Sequence, residues 1–249
     1  MEFFNPYPLV SDKTGFHELF INKINPNNGW MSENCCFGLY TFSSLIDAPR
    51  CIVEIGSYEG RSTVAIALSP SNSKIFAVDP HTGDRSEVDK GIEVDTWVNF
   101  NRNIANSGVI DRIRPLRMKS VEASISWNLS FSSLETNGSI GLLFIDGWHS
   151  TEAVIEDFKS WEKYTSDLCT IAFDDWGDAE VFAGILSVKE KLPPILGSIG
   201  KMLIFSNDPK VLESPIGGWA LRNTRFLKAL SNLPFLKKMW EIRLISEFR

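Results

Sequence analysis

Five carboxylates and one imidazole carry the chemistry that this sequence can do. Glu54 closes the apolar run from Cys51, Asp79 the run from Lys74, Asp146 the run from Gly141, and the pair Asp174-Asp175 the run from Cys169. His149 follows Asp146 by three residues. Carboxylates gathered on one edge repel one another unless something cationic sits among them. Asp146, Asp174 and Asp175 suit a hard divalent ion, Mg²⁺ or another such as Mn²⁺, that keeps other positions for water or substrate oxygens. His149 beside them can serve as a general base. Alone, that histidine reads as a solvated loop residue and the aspartate pair as turn or capping residues. Three convergent acids next to it favour the site.

The stretch Glu54-Ile55-Gly56-Ser57-Tyr58-Glu59-Gly60-Arg61-Ser62-Thr63 reads as a strand end, a tight turn and a helix start. Glycines permit a close approach to the backbone, and the helix beyond offers free N–H groups. A loop for a pyrophosphate would not carry an acid at Glu54, since a carboxylate repels phosphate. Glu54 suits a ligand with positive charge and hydroxyls, and S-adenosylmethionine has a sulfonium, an ammonium and a ribose. Asp79, 25 residues on, stands where dinucleotide folds hold ribose hydroxyls; alone it reads equally well as a turn aspartate before Pro80, and the Glu54 loop beside it favours the ribose role. A nicotinamide-dependent dehydrogenase fits less well, because Tyr58 stands where its fingerprint needs the second glycine.

The ordered set Glu54-Ile55-Gly56-Ser57-Tyr58-Glu59-Gly60-Arg61-Ser62, Val78-Asp79, Phe144-Ile145-Asp146 and Phe173-Asp174-Asp175 resembles the metal-dependent class I O-methyltransferases of the caffeoyl-CoA and catechol type. His149 and the acidic pair bring it nearer to the branch that methylates sugar hydroxyls on macrolides and glycolipids, and to cephalosporin-hydroxylase-like relatives. Catechol-type enzymes have a lysine in place of His149 and Asp-Asn in place of Asp174-Asp175, and the chain departs from them at both. The resemblance spans roughly residues 30–207. It implies a cofactor site of Glu54, Gly56, Ser57, Tyr58, Gly60, Ser62, Asp79 and Asp146, with Ser120 near the adenine. It implies Asp146, Asp174 and Asp175 as metal ligands, His149 as the base, and a lid around Trp30-Met31-Ser32-Glu33.

A metal and a histidine together make chemical sense. Imidazole titrates near ~6.5 and a phenol near ~10, a gap that costs about 5 kcal/mol. For an alcohol, with a pKa like that of water, the cost rises to about 12 kcal/mol, and a coordinated cation lowers it. A vicinal diol or catechol on a small molecule or sugar is the favoured acceptor. The rivals are a metal-independent methyltransferase of the same fold and a non-catalytic S-adenosylmethionine-binding protein.

The elements that must position these residues alternate. Strands are expected at 51–55, 74–79, 112–117, 141–146 and 169–174, apolar enough to be covered on both faces. A helix with Val94, Trp97, Val98 and Ile104 on its inner side is expected before Gly108, another from an N-cap at Ser150, and a third over 179–191. Residues 194–198 and 201–206 suit an antiparallel hairpin around Ile199-Gly200. The expected fold is α/β, a doubly wound, mostly parallel seven-stranded sheet, with ligands beyond the carboxyl ends of its strands. Residues 1–50 would form a helical cap or lid, 51–207 the core and 208–249 a helical extension, one structural domain overall.

Composition narrows the class. The chain has 249 residues, 43% of them hydrophobic, and a net charge of −6, which argues against a nucleic-acid partner. No apolar run reaches the 18 residues of a membrane span, and the start lacks a secretory pattern, so a cytoplasmic protein is expected. Cys35, Cys36, Cys51 and Cys169 form no C-x-x-C and read as buried thiols. Residues 210–249 carry a net charge of +5. That segment reads as a packed helix pair with a basic face, divided at Pro234, and its apolar side makes a homodimer an expectation.

Overall fold

The computed structural model describes residues 13–27, 29–83, 90–91, 93–127 and 138–222. The basic tail beyond Arg222, with Arg225, Lys228, Lys237, Lys238 and Trp240, lies outside the described residues, as do the first twelve positions.

Seven strands form one sheet: β1 (Cys51–Ile55), β2 (Ile75–Val78), β3 (Ile113–Leu116), β4 (Ile140–Ile145), β5 (Thr165–Phe173), β6 (Ile195–Ile199) and β7 (Met202–Ser206). Their order is β3-β2-β1-β4-β5-β7-β6. Strands β1 to β5 pair in parallel, and β7 runs antiparallel between β5 and β6. The chain leaves β1 toward β2 and β3 and returns to its other side with β4, so the order reverses between β1 and β4. A crevice opens there past the strand ends. Strand β5 starts four residues before the expected one, because Thr165 to Leu168 extend it at the exposed end of the sheet.

Two apolar layers cover the sheet. Ile52, Ala77, Leu142, Phe144, Ala172 and Ile204 face α2 (Glu33–Ser44), α3 (Arg61–Ala67), Phe16 of α1 (Lys13–Leu19) and the side chains Phe20 and Ile24. The alternate set, Val53, Ile55, Val78, Leu143, Ile145, Ile171 and Phe173, faces Trp127, Phe158, Trp161 and Ile185. This period-two division is what a sheet buried on both faces demands. Residues from Phe16 onward thus complete the core as well as flanking the crevice. All four cysteines are buried thiols.

The helix expected before Gly108 is α4 (Trp97–Asn106). It begins after Val94, and Val98 is 69% exposed; the buried face consists of Phe100, Asn103 and Ile104. A polar Asn103 replaces the expected apolar contact, because its amide donates to the Glu59 carbonyl at 2.8 Å. Ser150 does cap α6 (Thr151–Trp161), accepting from the Ala153 N–H at 3.2 Å. Between them lies α5 (Ser120–Ser126). The expected third helix is α7 (Ala179–Val188), capped by Asp178. Among the described residues, no helix is long and apolar enough to cross a membrane.

Candidate active site at the switch point

The loop after β1 is shaped by the loop after β4. Gly56 has φ +88°, and a Cβ there would stand 1.9 Å from the Asp146 carbonyl oxygen. Only glycine fits that position, and the obstacle is the protein's own backbone. Tyr58 takes φ +47°, costly for a bulky residue. Its N–H donates to Asp79 Oδ2 at 2.7 Å, and the His81 N–H donates to Asp79 Oδ1 at 2.6 Å. One carboxylate at the end of β2 therefore anchors both the β1 loop and its own. Asn99 fixes Glu59 from α4, and Gly60, at φ +90°, opens α3.

Glu54 lies beneath this loop and is fully buried. Period-two alternation turns it to the α3 side, where Oε2 accepts from the Thr63 hydroxyl and Oε1 has no partner. Burial pushes its carboxyl up to about 7, against the hydrogen bonds of Ser62 and Thr63. Glu54 is absent from the cleft wall, so in this geometry it supports the loop from below. Ser57 and Ser62 are buried in the loop and line the cleft. Ser120, the first residue of α5, accepts from the Trp161 indole N–H at 2.9 Å and is not among the residues that line that cleft.

The cleft has an empty volume of about 440 Å³, open mouth included. One wall is Gly56, Ser57 and Tyr58, another Gly29, Trp30 and Met31, and the floor holds Asp146, His149, Asp174, Asp175 and Lys201. Trp30, in the segment expected to act as a lid, is 64% exposed and packs on Tyr58 with ring centroids 5.0 Å apart. Arg61 straps this segment to the loop. Its guanidinium donates to the Gly29 carbonyl and to Asn25 Oδ1, both at 2.7 Å, and lies over the Phe20 ring.

On the floor, His149 Nε2 lies 3.5 Å from Asp146 Oδ1 and 3.7 Å from Asp175 Oδ2. One donor atom each from Asp146, His149 and Asp175 falls within 4.8 Å of the others. His149 thus meets two of the three acids that the sequence suggested as metal ligands. Asp174 is 4% exposed; its Oδ2 lies 3.3 Å from Lys201 Nζ, while Oδ1 is buried without a partner. Lys201 Nζ also donates to Asp175 Oδ1 at 2.7 Å. Burial, then the Asp174 charge, raises the Asp146 carboxyl above the ordinary carboxylate range. The hydrogen bond to Asp146 raises His149 above the usual imidazole range, against the effect of burial.

These donors fit a divalent cation. Three carboxylates against one ammonium leave two formal negative charges, and carboxylate oxygens match Mg²⁺ or Mn²⁺. Lys201 escaped the sequence reading. A lysine after a glycine in a hairpin turn gives no signal, and only the antiparallel pairing of β7 with β5 brings it 26 residues back to Asp175. His81 escaped too: it is fully buried, with Nδ1 2.8 Å from Thr96 Oγ1.

Residues 53–176 match a family model described as a methyltransferase domain. Two curated relatives are an uncharacterised protein, y4gI, of Sinorhizobium fredii, 27% identical over 155 residues, and an uncharacterised protein, R132, of Acanthamoeba polyphaga mimivirus, 31% identical over 130 residues. The matches take in 61% and 51% of this chain but only 15% and 51% of those proteins. The chain thus spans about half of one of these relatives and less than a sixth of the other. The fold is similar to the O-methyltransferase NovP, with a TM-score of 0.58, 11% identity and coverage of 79% of this chain and 100% of the other. It is also similar to CalS11, a TDP-rhamnose 3'-O-methyltransferase of calicheamicin biosynthesis, at 0.51 and 14%, covering 81% and 97%.

Proposed function

We propose that this chain, whose residues 53–176 match a methyltransferase domain and whose fold is that of O-methyltransferases, transfers a methyl group from S-adenosylmethionine to a hydroxyl of a small molecule or sugar, with a divalent metal assisting. The observation that carries this reading is the meeting of His149 with Asp146 and Asp175 in a cleft walled by the Gly56–Gly60 loop. In it, the loop and the Asp79 carboxylate hold the donor, with Ser57, Tyr58 and Ser62 along its side and Ser120 toward the adenine. Glu54 keeps the loop in shape from below.

His149 takes the acceptor's proton on its imidazole ring. Its bond to Asp146 makes it a stronger base than free imidazole, which suits an acceptor of higher pKa. Asp146, Asp174 and Asp175 would hold a metal ion, which when bound would lower the acceptor hydroxyl's pKa and orient two neighbouring oxygens. An acceptor with a vicinal diol or catechol offers such a pair. The rhamnose 3'-hydroxyl acceptor of CalS11 makes a sugar diol a natural first choice. The Trp30 lid and the Tyr58 ring close the cleft against water.

The test uses labelled S-adenosylmethionine with a panel of catechols and sugar diols. Asp146→Ala, His149→Ala and EDTA are each expected to abolish label transfer while cofactor binding persists. Full transfer after Asp146→Ala and EDTA would overturn metal assistance. It would favour a second reading, a metal-independent enzyme, which the ion pairs of Lys201 with Asp174 and Asp175 support.

A further inference from the structure

Lys201 brings a cation of the protein's own into the acidic floor. Its backbone is anchored: the Lys201 carbonyl accepts from the Trp176 N–H at 3.3 Å, tying the β6–β7 turn to the segment after the acidic pair. Gly200 takes φ +58°, and a Cβ there would stand 2.7 Å from Cys35 Sγ, so the turn is pressed against α2. The side chain, 43% exposed, reaches back from this fixed turn and occupies one oxygen of each carboxylate, Asp174 Oδ2 and Asp175 Oδ1. The other positive side chain of the cleft wall, Arg61, donates to Gly29 and Asn25. Asp174 Oδ1 remains buried with no partner, an acceptor that one ammonium leaves unused.

An ammonium is a point charge with three donors and asks for no fixed coordination geometry. A divalent ion needs several oxygens at once and gains most where no other cation screens them. We propose that Lys201 is a competing cation: its ammonium shares Asp174 and Asp175 with the divalent metal and must yield one or both when the metal enters. Lys201 thereby sets a weak, exchangeable metal affinity and keeps the acidic pair together between loadings. This deepens the reading of the floor as a cation site and rests on it.

The decisive experiment measures Mn²⁺ binding to the full chain by electron paramagnetic resonance of the free ion. Lys201→Met is expected to bind Mn²⁺ about tenfold or more tightly than the natural protein, since a repelling charge is gone and two oxygens are released. Lys201→Arg keeps the charge and is expected to stay within about threefold. In the unmodified protein, Mg²⁺ should speed the acylation of Lys201 by an amine-reactive reagent, read by mass spectrometry, as the ammonium leaves its carboxylates. Unchanged or weaker Mn²⁺ binding by Lys201→Met, or no Mn²⁺ binding by either protein, overturns the proposal. Acylation indifferent to Mg²⁺ overturns it as well, and needs no variant to fold. Calorimetry with S-adenosylmethionine on the same samples separates this outcome from a failure of the methyltransferase reading, because cofactor binding does not depend on which cation holds the floor.

Discussion

The acids of the β1 and β2 half and those of the β4 and β5 half gather toward one edge of the sheet, Glu54 one residue inside β1 and the others just past their strands, and the two halves meet opposite surroundings. Glu54 and Asp79 are engaged by the protein's own donors: the Thr63 hydroxyl for one, the Tyr58 and His81 N–H groups for the other. Asp146, Asp174 and Asp175 face one another, an imidazole and a lysine. A carboxylate that accepts from the loop's own groups stiffens that loop and needs no cation. Carboxylates that see mainly each other carry charge that a cation must balance. A row of acids along a sheet edge therefore supports two different devices, one for shape and one for charge.

The sharpest way to break this comparison is to disable the charged half. His149→Ala should lower methyl transfer by roughly 10²–10⁴-fold, the usual worth of a positioned base, with the S-adenosylmethionine Kd unchanged within about threefold by calorimetry. A Kd that rises in step with the loss of activity would make His149 part of the cofactor site, and the two halves would merge.

On the other half, Glu54→Gln should act on stability. The native carboxyl titrates at about 7 against an ordinary 4.5. Between those values the folded chain binds the proton that the unfolded chain releases, so stability falls as the pH rises from about 4.5 to about 7 and is flat above. The neutral amide removes that loss. Thermal unfolding at pH 8 should show a gain of roughly 3 kcal/mol that vanishes below about pH 4.5. A gain independent of pH would mean that Glu54 is not the titrating group.

Asp79→Asn should cost less and differently. An amide can accept from only one of the two N–H groups and turns a donor toward the other, worth about 1–3 kcal/mol. The expected result is an S-adenosylmethionine Kd raised about tenfold, with turnover at saturating cofactor within about threefold. A turnover loss as large as that of His149→Ala would remove the division of labour. The smallest effect is expected from Asn103→Ala, which frees the Glu59 carbonyl and should lower the melting temperature by an amount equivalent to roughly 1 kcal/mol. A loss of cofactor affinity larger than that of Asp79→Asn would show that α4, rather than Asp79, governs the loop.

The apolar runs that became β1 to β5, the Gly56 turn, the Ser150 cap and the acids at strand ends were legible in the chain, because each rests on short-range periodicity or on the backbone demands of one residue. Sequence by itself thus determined a doubly wound sheet and the residues that gather along its rim. Tertiary structure alone decided what each of those residues faces. Strand alternation together with the seat of α3 turned Glu54 under the loop. The loop after β4 fixed the need for Gly56, and the order β5-β7-β6 carried Lys201 to Asp174 and Asp175. Contacts between residues far apart in the chain depend on how whole elements pack, and no local pattern encodes the partner of a charge that the fold delivers from another strand.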